Sequence, residues 1–166
     1  MIDGTIVVDP LLGGLATDIN NDAIQEMSLL SGTFNAEYGN ALSGVVNIVT
    51  RDGADKFSGK LEARTSEFGV DRYTDLHENR INGSLSGPIV IPEFNFFISG
   101  EIDKRGSYLP FGYDNSKSFF SKLSTTIIPF VKISLSNRGS LGKRQNYSHS
   151  YKYIPEQYLR SRTDSW

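Results

Sequence analysis

The chain has 166 residues, 38% of them hydrophobic and 22% charged, which is the balance of one ordinary folded domain and not of a disordered segment. Its 17 basic and 19 acidic side chains leave a net charge of -2, without the surplus of Lys and Arg that a general nucleic-acid or anionic-membrane binder carries. With no cysteine, disulfide frameworks, thiolate metal sites and thiol catalysis are excluded together.

The opening "MIDGTIVVDPLLGG" has neither the basic nor the apolar region of a signal peptide, and no run in the chain reaches the roughly 20 apolar residues of a membrane helix. A transmembrane β-barrel escapes that second test, because only alternate residues of its strands face lipid. The first element expected is a short strand at Ile6-Val7-Val8, followed by a turn at "DPLLGG". In "NNDAIQEM", Asn21 or Asp22 reads as an N-cap with Gln25 three residues after Asp22, which predicts a short helix over about 21–26. An apolar run "MSLLSG", a helical turn around Ala36–Tyr38 and a β-branched strand "VVNIVT" complete what reads as a small α/β unit.

A seam falls near residues 51–56, and beyond it the texture changes to period two. Phe57, Gly59, Leu61 and Ala63 point one way, while Ser58, Lys60, Glu62 and Arg64 point the other. Ile81, Gly83 and Leu85 alternate with Asn82, Ser84 and Ser86. Phe94, Phe96, Ile98, Gly100 and Ile102 stand opposite Asn95, Ser99, Glu101 and Asp103, with Phe97 as the exception on the polar face. A fourth run passes through Phe119, Leu123 and Ile127, and a fifth sets Val131, Ile133 and Leu135 against Lys132, Ser134 and Ser136. Five such strands predict an antiparallel meander. The connectors alternate between short, proline-bearing ones ("GPIVIPE", "IIPF") and long polar ones ("SEFGVDRYTDLHE", "KRGSYLPFGYDNSK"). A membrane β-barrel has this rhythm. A soluble β-sandwich would give the same alternation, so pattern alone leaves both open.

The stretches "DGTIVVDP", "INNDAIQEMSLLSG" and "FNAEYGNALSGVVNIVTRDG" resemble the second half of the plug domain of TonB-dependent outer-membrane receptors, with Glu37-Tyr38-Gly39, Gly44, Val46-Asn47-Ile48 and Thr50 at the spacing of that motif. "FNAEYGNALSG", "GPIVIPEFNFFISGE" and "YSHSYKYIPEQY" look most like the subgroup with a carboxypeptidase-regulatory-like N-terminal domain. Ser43 stands where many siderophore receptors have a second glycine, which disfavours a siderophore assignment. The resemblance implies a mainly β protein in which residues 1–52 form the C-terminal half of a plug. Residues 53–166 would then form the N-terminal part of an outer-membrane β-barrel, about five antiparallel transmembrane strands that are open in this stretch. It implies uptake of a ligand whose identity the sequence does not give, powered by the TonB complex, in contact with outer-membrane lipid. The signal peptide, TonB box, first plug half and remaining barrel strands would lie outside the chain. The rival reading is a barrel without energised transport, either a porin or a surface-structural or adhesive protein.

Within that frame, Tyr38, Gly39, Gly44, Asn47 and Thr50 are structural plug-motif residues, the glycines permitting tight turns in a crowded lumen. Tyr108, Phe111 and Tyr113 are candidate ligand contacts in a 104–117 loop, or else an aromatic girdle at the membrane interface. No catalytic constellation, cofactor motif or metal-ligand spacing is present. His77 and His149 lack partners at ligand spacing, and Asp52 with Asp55 is only a fragment of a calcium loop. The basic and aromatic run "KRQNYSHSYKY" reads as an exposed loop and not as a nucleic-acid site.

Overall fold

The computed structural model describes residues 1–7, 19–31, 44–66, 77–89, 93–128 and 130–165. Two antiparallel sheets account for it: a two-stranded one, β1 (Ile24–Ser31) with β2 (Gly44–Thr50), and a six-stranded meander in the order β3-β4-β5-β6-β7-β8. The meander runs through Ser58–Thr65, Glu78–Pro88, Phe94–Gly106, Tyr113–Ile128, Val131–Gln145 and Arg160–Ser165. Each strand pairs with the next in sequence, so β3 and β8 keep open edges and the sheet does not close.

The period-two reading is carried into the sheet in register. Leu61 pairs with Gly83, Gly83 with Gly100, Gly100 with Phe119 and Phe119 with Gly139, so a single row of one face crosses five strands. That face is apolar and exposed: Leu61, Leu85, Ile98, Ile133 and Leu135 stand on it, Leu61 at 82% exposure. The opposite face carries Lys60, Glu62, Arg80, Glu101, Asp103 and Lys122. Phe97, the apolar exception on that face, is buried there with Phe120, their rings 6.1 Å apart. Two apolar residues on a charged face need a cover, and the N-terminal segment supplies it: Ala23 packs on both, with Ile19 beside them.

Several sequence expectations are corrected. The helix over about 21–26 is a single 3-10 turn, Asn21–Ala23, capped by Asn20, and the chain is extended from Ile24 onward. A helix of that length is marginal by itself, whereas pairing with the β-branched "VVNIVT" satisfies the backbone of residues 24–31 and packs Leu29 and Leu30 against Val46 and Val45. Among its described residues the N-terminal unit is β with one 3-10 turn, and no α-helix is found where one was expected over 21–26. Ile6 and Val7 are not in a strand; instead Ile2 bridges in parallel to Ile48 beside β2. The helical turn expected at Ala36–Tyr38 lies outside the described residues. The meander has a sixth strand, Arg160–Ser165, whose polar sequence "RSRTDS" shows no alternation to read. The fifth strand also runs on to Gln145, taking in the start of the "KRQNYSHSYKY" run.

Arg51–Gly53 carries the chain from β2 to the sheet. A Cβ on Gly53 would overlap the backbone of Asn95 and Phe96, so this crossing admits only glycine. Gly53→Val should destabilise the fold by about 1–3 kcal/mol through forced backbone movement. Gly100→Ala, whose Cβ would sit 3.8 Å from the Ser118 carbonyl, should be nearly neutral in the same thermal melt.

Candidate functional site: the polar seam between hairpin and sheet

The N-terminal unit has its own small core of Ile2, Val7 and Ile48, with Ile19 and Ile24 against it. From it, three polar groups reach the charged face of the sheet. Asn20 is the first. Its Oδ1 accepts from the Ala23 amide (2.9 Å), which caps the turn, and from the Ser99 hydroxyl (3.1 Å), which ties that turn to β5. Asp22 is the second, accepting from Lys60 Nζ at 3.0 Å on β3 and from the Asn82 amide on β4. Burial raises its carboxyl pKa, but the Asn82 and Lys60 hydrogen bonds outweigh burial and hold it below the ordinary 3.8.

The third contact is a buried cluster around Lys122 of β6. Its ammonium is 7% exposed and donates to Thr50 Oγ1 at 3.0 Å and to Asp3 Oδ2 at 3.4 Å, and it lies 3.1 Å from Asp52 Oδ1. Thr50 in turn donates its amide (2.8 Å) and its hydroxyl (2.5 Å) to the two Asp3 oxygens. Lys132 of β7 donates to the other Asp52 oxygen at 2.5 Å. One lysine of the sheet is thus held by three residues of the N-terminal segment. Thr50, at the end of β2, is completely buried between them.

The pKa values of Asp3 and Asp52 follow from these partners. Burial acts first and raises both; hydrogen bonds from Thr50 and the Lys122 charge for Asp3, and from Lys132 and Lys122 for Asp52, reverse it and leave each below 3.8. Carboxyls depressed in the folded state contribute stability that is complete above their unfolded values and is lost as pH falls through the folded ones. The seam should therefore hold at pH 5 and loosen below about pH 4, read as faster hydrogen exchange in β2, and Asp52→Asn should flatten that response. A pH-independent exchange rate would show that the carboxylates do not hold the seam.

Beyond the seam the same face carries a denser charge network. Arg80 grips Asp103 Oδ2 through Nε (3.1 Å) and a terminal nitrogen (2.7 Å), Arg105 shares that oxygen, and Arg144 grips Asp114 in the same two-pronged manner (3.0 and 2.6 Å). Asp103, Arg105, Asp114 and Arg144, with Ile19 and Glu101, line a polar cavity of about 250 Å³. In each of the two-pronged pairs both nitrogens converge on a single carboxylate oxygen, and Asp103 Oδ1 is left without a hydrogen-bond partner among the described residues.

Of the motif residues, Gly44 opens β2, Asn47 pairs with Ser28, and Thr50 sits in the Lys122 cluster, while Tyr38 and Gly39 lie outside the described residues. The 104–117 loop is much shorter than expected, residues 107–112, because β5 runs to Gly106 and β6 starts at Tyr113. The three aromatics are accordingly separated in role. Tyr108 is exposed, Tyr113 is a strand residue paired with Gly106 and Gln145, and Phe111 packs edge-on against the buried Tyr158 with its carbonyl accepting from Gln145 at 2.8 Å. Asp3 and Lys122 are not marked by any sequence motif, and Asp52 reads from sequence only as a fragment of a calcium loop; the one signal is a lysine at a polar-face position flanked by Phe120 and Ser124. Among the described residues no group of three or more His, Asp or Glu is placed to hold a metal.

An open antiparallel sheet, apolar on one face and charged on the other, with a second β unit against the charged face, fits a partial β-barrel. In sequence the chain is similar to TonB-dependent receptors. It is 32% identical over 112 residues to the TonB-dependent transporter Oar of Myxococcus xanthus, covering 58% of this chain and 11% of that protein. It is 34% identical over 84 residues to the ferrienterobactin receptor of Escherichia coli (strain K12), covering 50% of this chain and again 11% of the relative. The chain thus matches only about a tenth of the length of either relative. No family model and no solved structure matches.

Proposed function

We propose that this chain is part of a TonB-dependent outer-membrane receptor, with residues 1–52 as the C-terminal half of its plug and residues 53–166 as the first strands of its barrel. The observation that carries the reading is the Lys122 cluster: the N-terminal hairpin is bonded to the polar face of a sheet whose other face is a continuous apolar surface. In water such a surface would be far larger than a soluble monomer exposes, and in a bilayer it is the lipid face. The unpaired edges of β3 and β8 would be satisfied by further strands, since only closed barrels leave no unpaired backbone in lipid. Both curated relatives are receptors or transporters, which supports ligand uptake and not catalysis. The TonB complex would act on a segment preceding this stretch, and pulling there would load the seam, where the hairpin's hydrogen bonds and ion pairs to the sheet are concentrated. Tyr38, Gly39, Gly44, Asn47 and Thr50 shape the plug in this reading. Tyr108, the most exposed of the three loop aromatics, is the one left free to meet a ligand.

The test is fractionation of the protein expressed in a diderm host, with gel mobility before and after boiling. Recovery in the outer membrane with a heat-dependent shift is expected. Recovery in the soluble fraction would reject the barrel, and uptake unaffected by loss of TonB would leave a non-energised barrel in its place.

A further inference from the structure

We propose that the ligand taken up carries a protonated amine on a short apolar stem, and that Glu101 and Asp103 receive its ammonium in the polar cavity beside the hairpin. The inference deepens the uptake reading and rests on it for the ligand's role as cargo. Strand register builds one wall of the cavity from three successive rungs of the charged face: Glu101 of β5 pairs with Ser118 of β6, Asp103 with Ser116, and Arg105 with Asp114. Arg144 of β7 stands across from Asp114 and closes the far end, while Ile19 of the N-terminal segment supplies an apolar wall. The rungs therefore run from a salt-bridged end to one where a carboxylate faces only a hydroxyl.

What that end lacks is a donor. On this face of the sheet Glu62, Glu78, Asp103 and Asp114 each form an ion pair with a lysine or an arginine. Glu101 is half-buried and forms none among the described residues, its neighbours across the strands being Ser118 and Asn82, whose amide is committed to Asp22. Asp103 is the second open acceptor. Its side chain is 3% exposed, and while Oδ2 takes both Arg80 and Arg105, Oδ1 is buried without a hydrogen-bond partner among the described residues. A buried carboxylate oxygen without a donor is costly. The two residues are successive on one face of β5, roughly 7 Å apart along the strand, so one ammonium between them can donate to both through bonds of about 2.8 Å.

The rest of the wall selects the kind of cation. A bare metal ion needs more oxygen ligands, and no group of three or more His, Asp or Glu among the described residues is placed to give them. An ammonium brings three donors of its own, enough for the two carboxylates and one serine hydroxyl. An anion would look to the guanidiniums, but Arg80 and Arg105 are already engaged by Asp103, and Arg144 by Asp114. At about 250 Å³ the cavity has room for several waters, and so for an ammonium together with a short methylene stem. Ile19 is the surface for that stem. It packs against both small apolar clusters, Ile2 with Val7 and Ile48, and Ala23 with Phe97 and Phe120, so the wall that meets the methylenes is held from behind.

The experiment uses the full-length receptor extracted from outer membranes in mild detergent, titrated with aminopentanol, pentanediol and hydroxypentanoate and read by saturation-transfer NMR. The three probes carry their groups at the two ends of the same chain and differ in charge. Aminopentanol should bind, and the diol and the hydroxy acid should bind roughly 10-fold more weakly or worse, the margin of a charge-assisted hydrogen bond over a neutral one. Glu101→Gln removes a carboxylate that holds no other described residue, so the fold should be kept while affinity for aminopentanol falls about 10- to 100-fold. Glu62→Gln, on the same face but outside the cavity, should bind as the unaltered protein does. Stronger binding of the hydroxy acid would assign the cavity to an anion, and absent binding of aminopentanol, or unchanged binding in Glu101→Gln, would make it a water-filled pocket; each overturns the amine site. Recovery of the unaltered protein in the soluble fraction would instead remove the uptake role, and the same titration on that soluble protein still decides whether the cavity takes an amine.

Discussion

Lys122→Met should loosen the N-terminal hairpin from the sheet by about 2–3 kcal/mol, between the cost of breaking an exposed ion pair and that of breaking a fully buried one. Methionine keeps the length and most of the volume of the side chain, so the change isolates the charge and its hydrogen bonds. Lys122 is 7% exposed, but Asp3 and Asp52 keep 28% and 30% exposure and regain some water when the ammonium is lost, which places the cost below the fully buried limit. Asp3 would still accept from Thr50, and Asp52 from Lys132. Hydrogen exchange of Val45–Thr50 is the measurement, with roughly 30- to 150-fold faster exchange expected for that loss of free energy if these amides exchange by opening of the seam. A second change gives the physical signature. Asp52→Asn in the Lys122→Met background removes a carboxylate left half-paired, so the double variant should be less destabilised than the sum of the two single changes. Additive effects would show that the two residues do not share an interaction.

Ile98→Arg should cost about 2–4 kcal/mol when the protein is folded in a bilayer, because it places a guanidinium on the lipid face near mid-height of the apolar stretch. Leu85 stands directly across from Ile98 in the register, and both are about half exposed. The inward-facing control needs care. Ser99, next to Ile98, looks from the alternation like a freely replaceable polar position, yet it is 2% exposed and bonded to Asn20 beneath the hairpin. Ser84, the inward neighbour of Leu85, is only half-buried, and an arginine there would stand directly across from Lys60, whose repulsion is offset by Asp22, the carboxylate partner of Lys60. Ser84→Arg should therefore cost well under half as much as Ile98→Arg in urea titrations of protein refolded into vesicles. Equal costs would mean that the apolar face does not meet lipid.

The different fates of these two serines show where sequence reading reaches its limit. Alternation in residues 57–64, 81–86, 94–102 and 131–136 assigned each side chain to a face, and the register bears that assignment out, because the period of a strand is a local property of the backbone. "VVNIVT" was legible as a strand for the same kind of reason, its β-branched run matching a pleated surface. Residues 21–26 misled: Asp22 and Gln25 carry a capping signature, but the ladder that made the following residues extended came from β2, about 20 residues away. The sixth strand was illegible because "RSRTDS" has no apolar phase, and only the neighbouring edge of β7 gives it pairing. Phe97 was visible as an exception to its face without a reason, and Ala23 is the reason.

By itself, then, the sequence determined the strands of period two and the separation of an apolar face from a charged one, since each depends on residues near one another in the chain. Only the tertiary structure decided that Asp3, Thr50 and Asp52 meet Lys122 and that Asn20 covers Ser99. Those groups are separated by about 70 to about 120 residues, and no local pattern links them. Their meeting follows from strand register and from a charged face that must be satisfied by whatever segment lies against it.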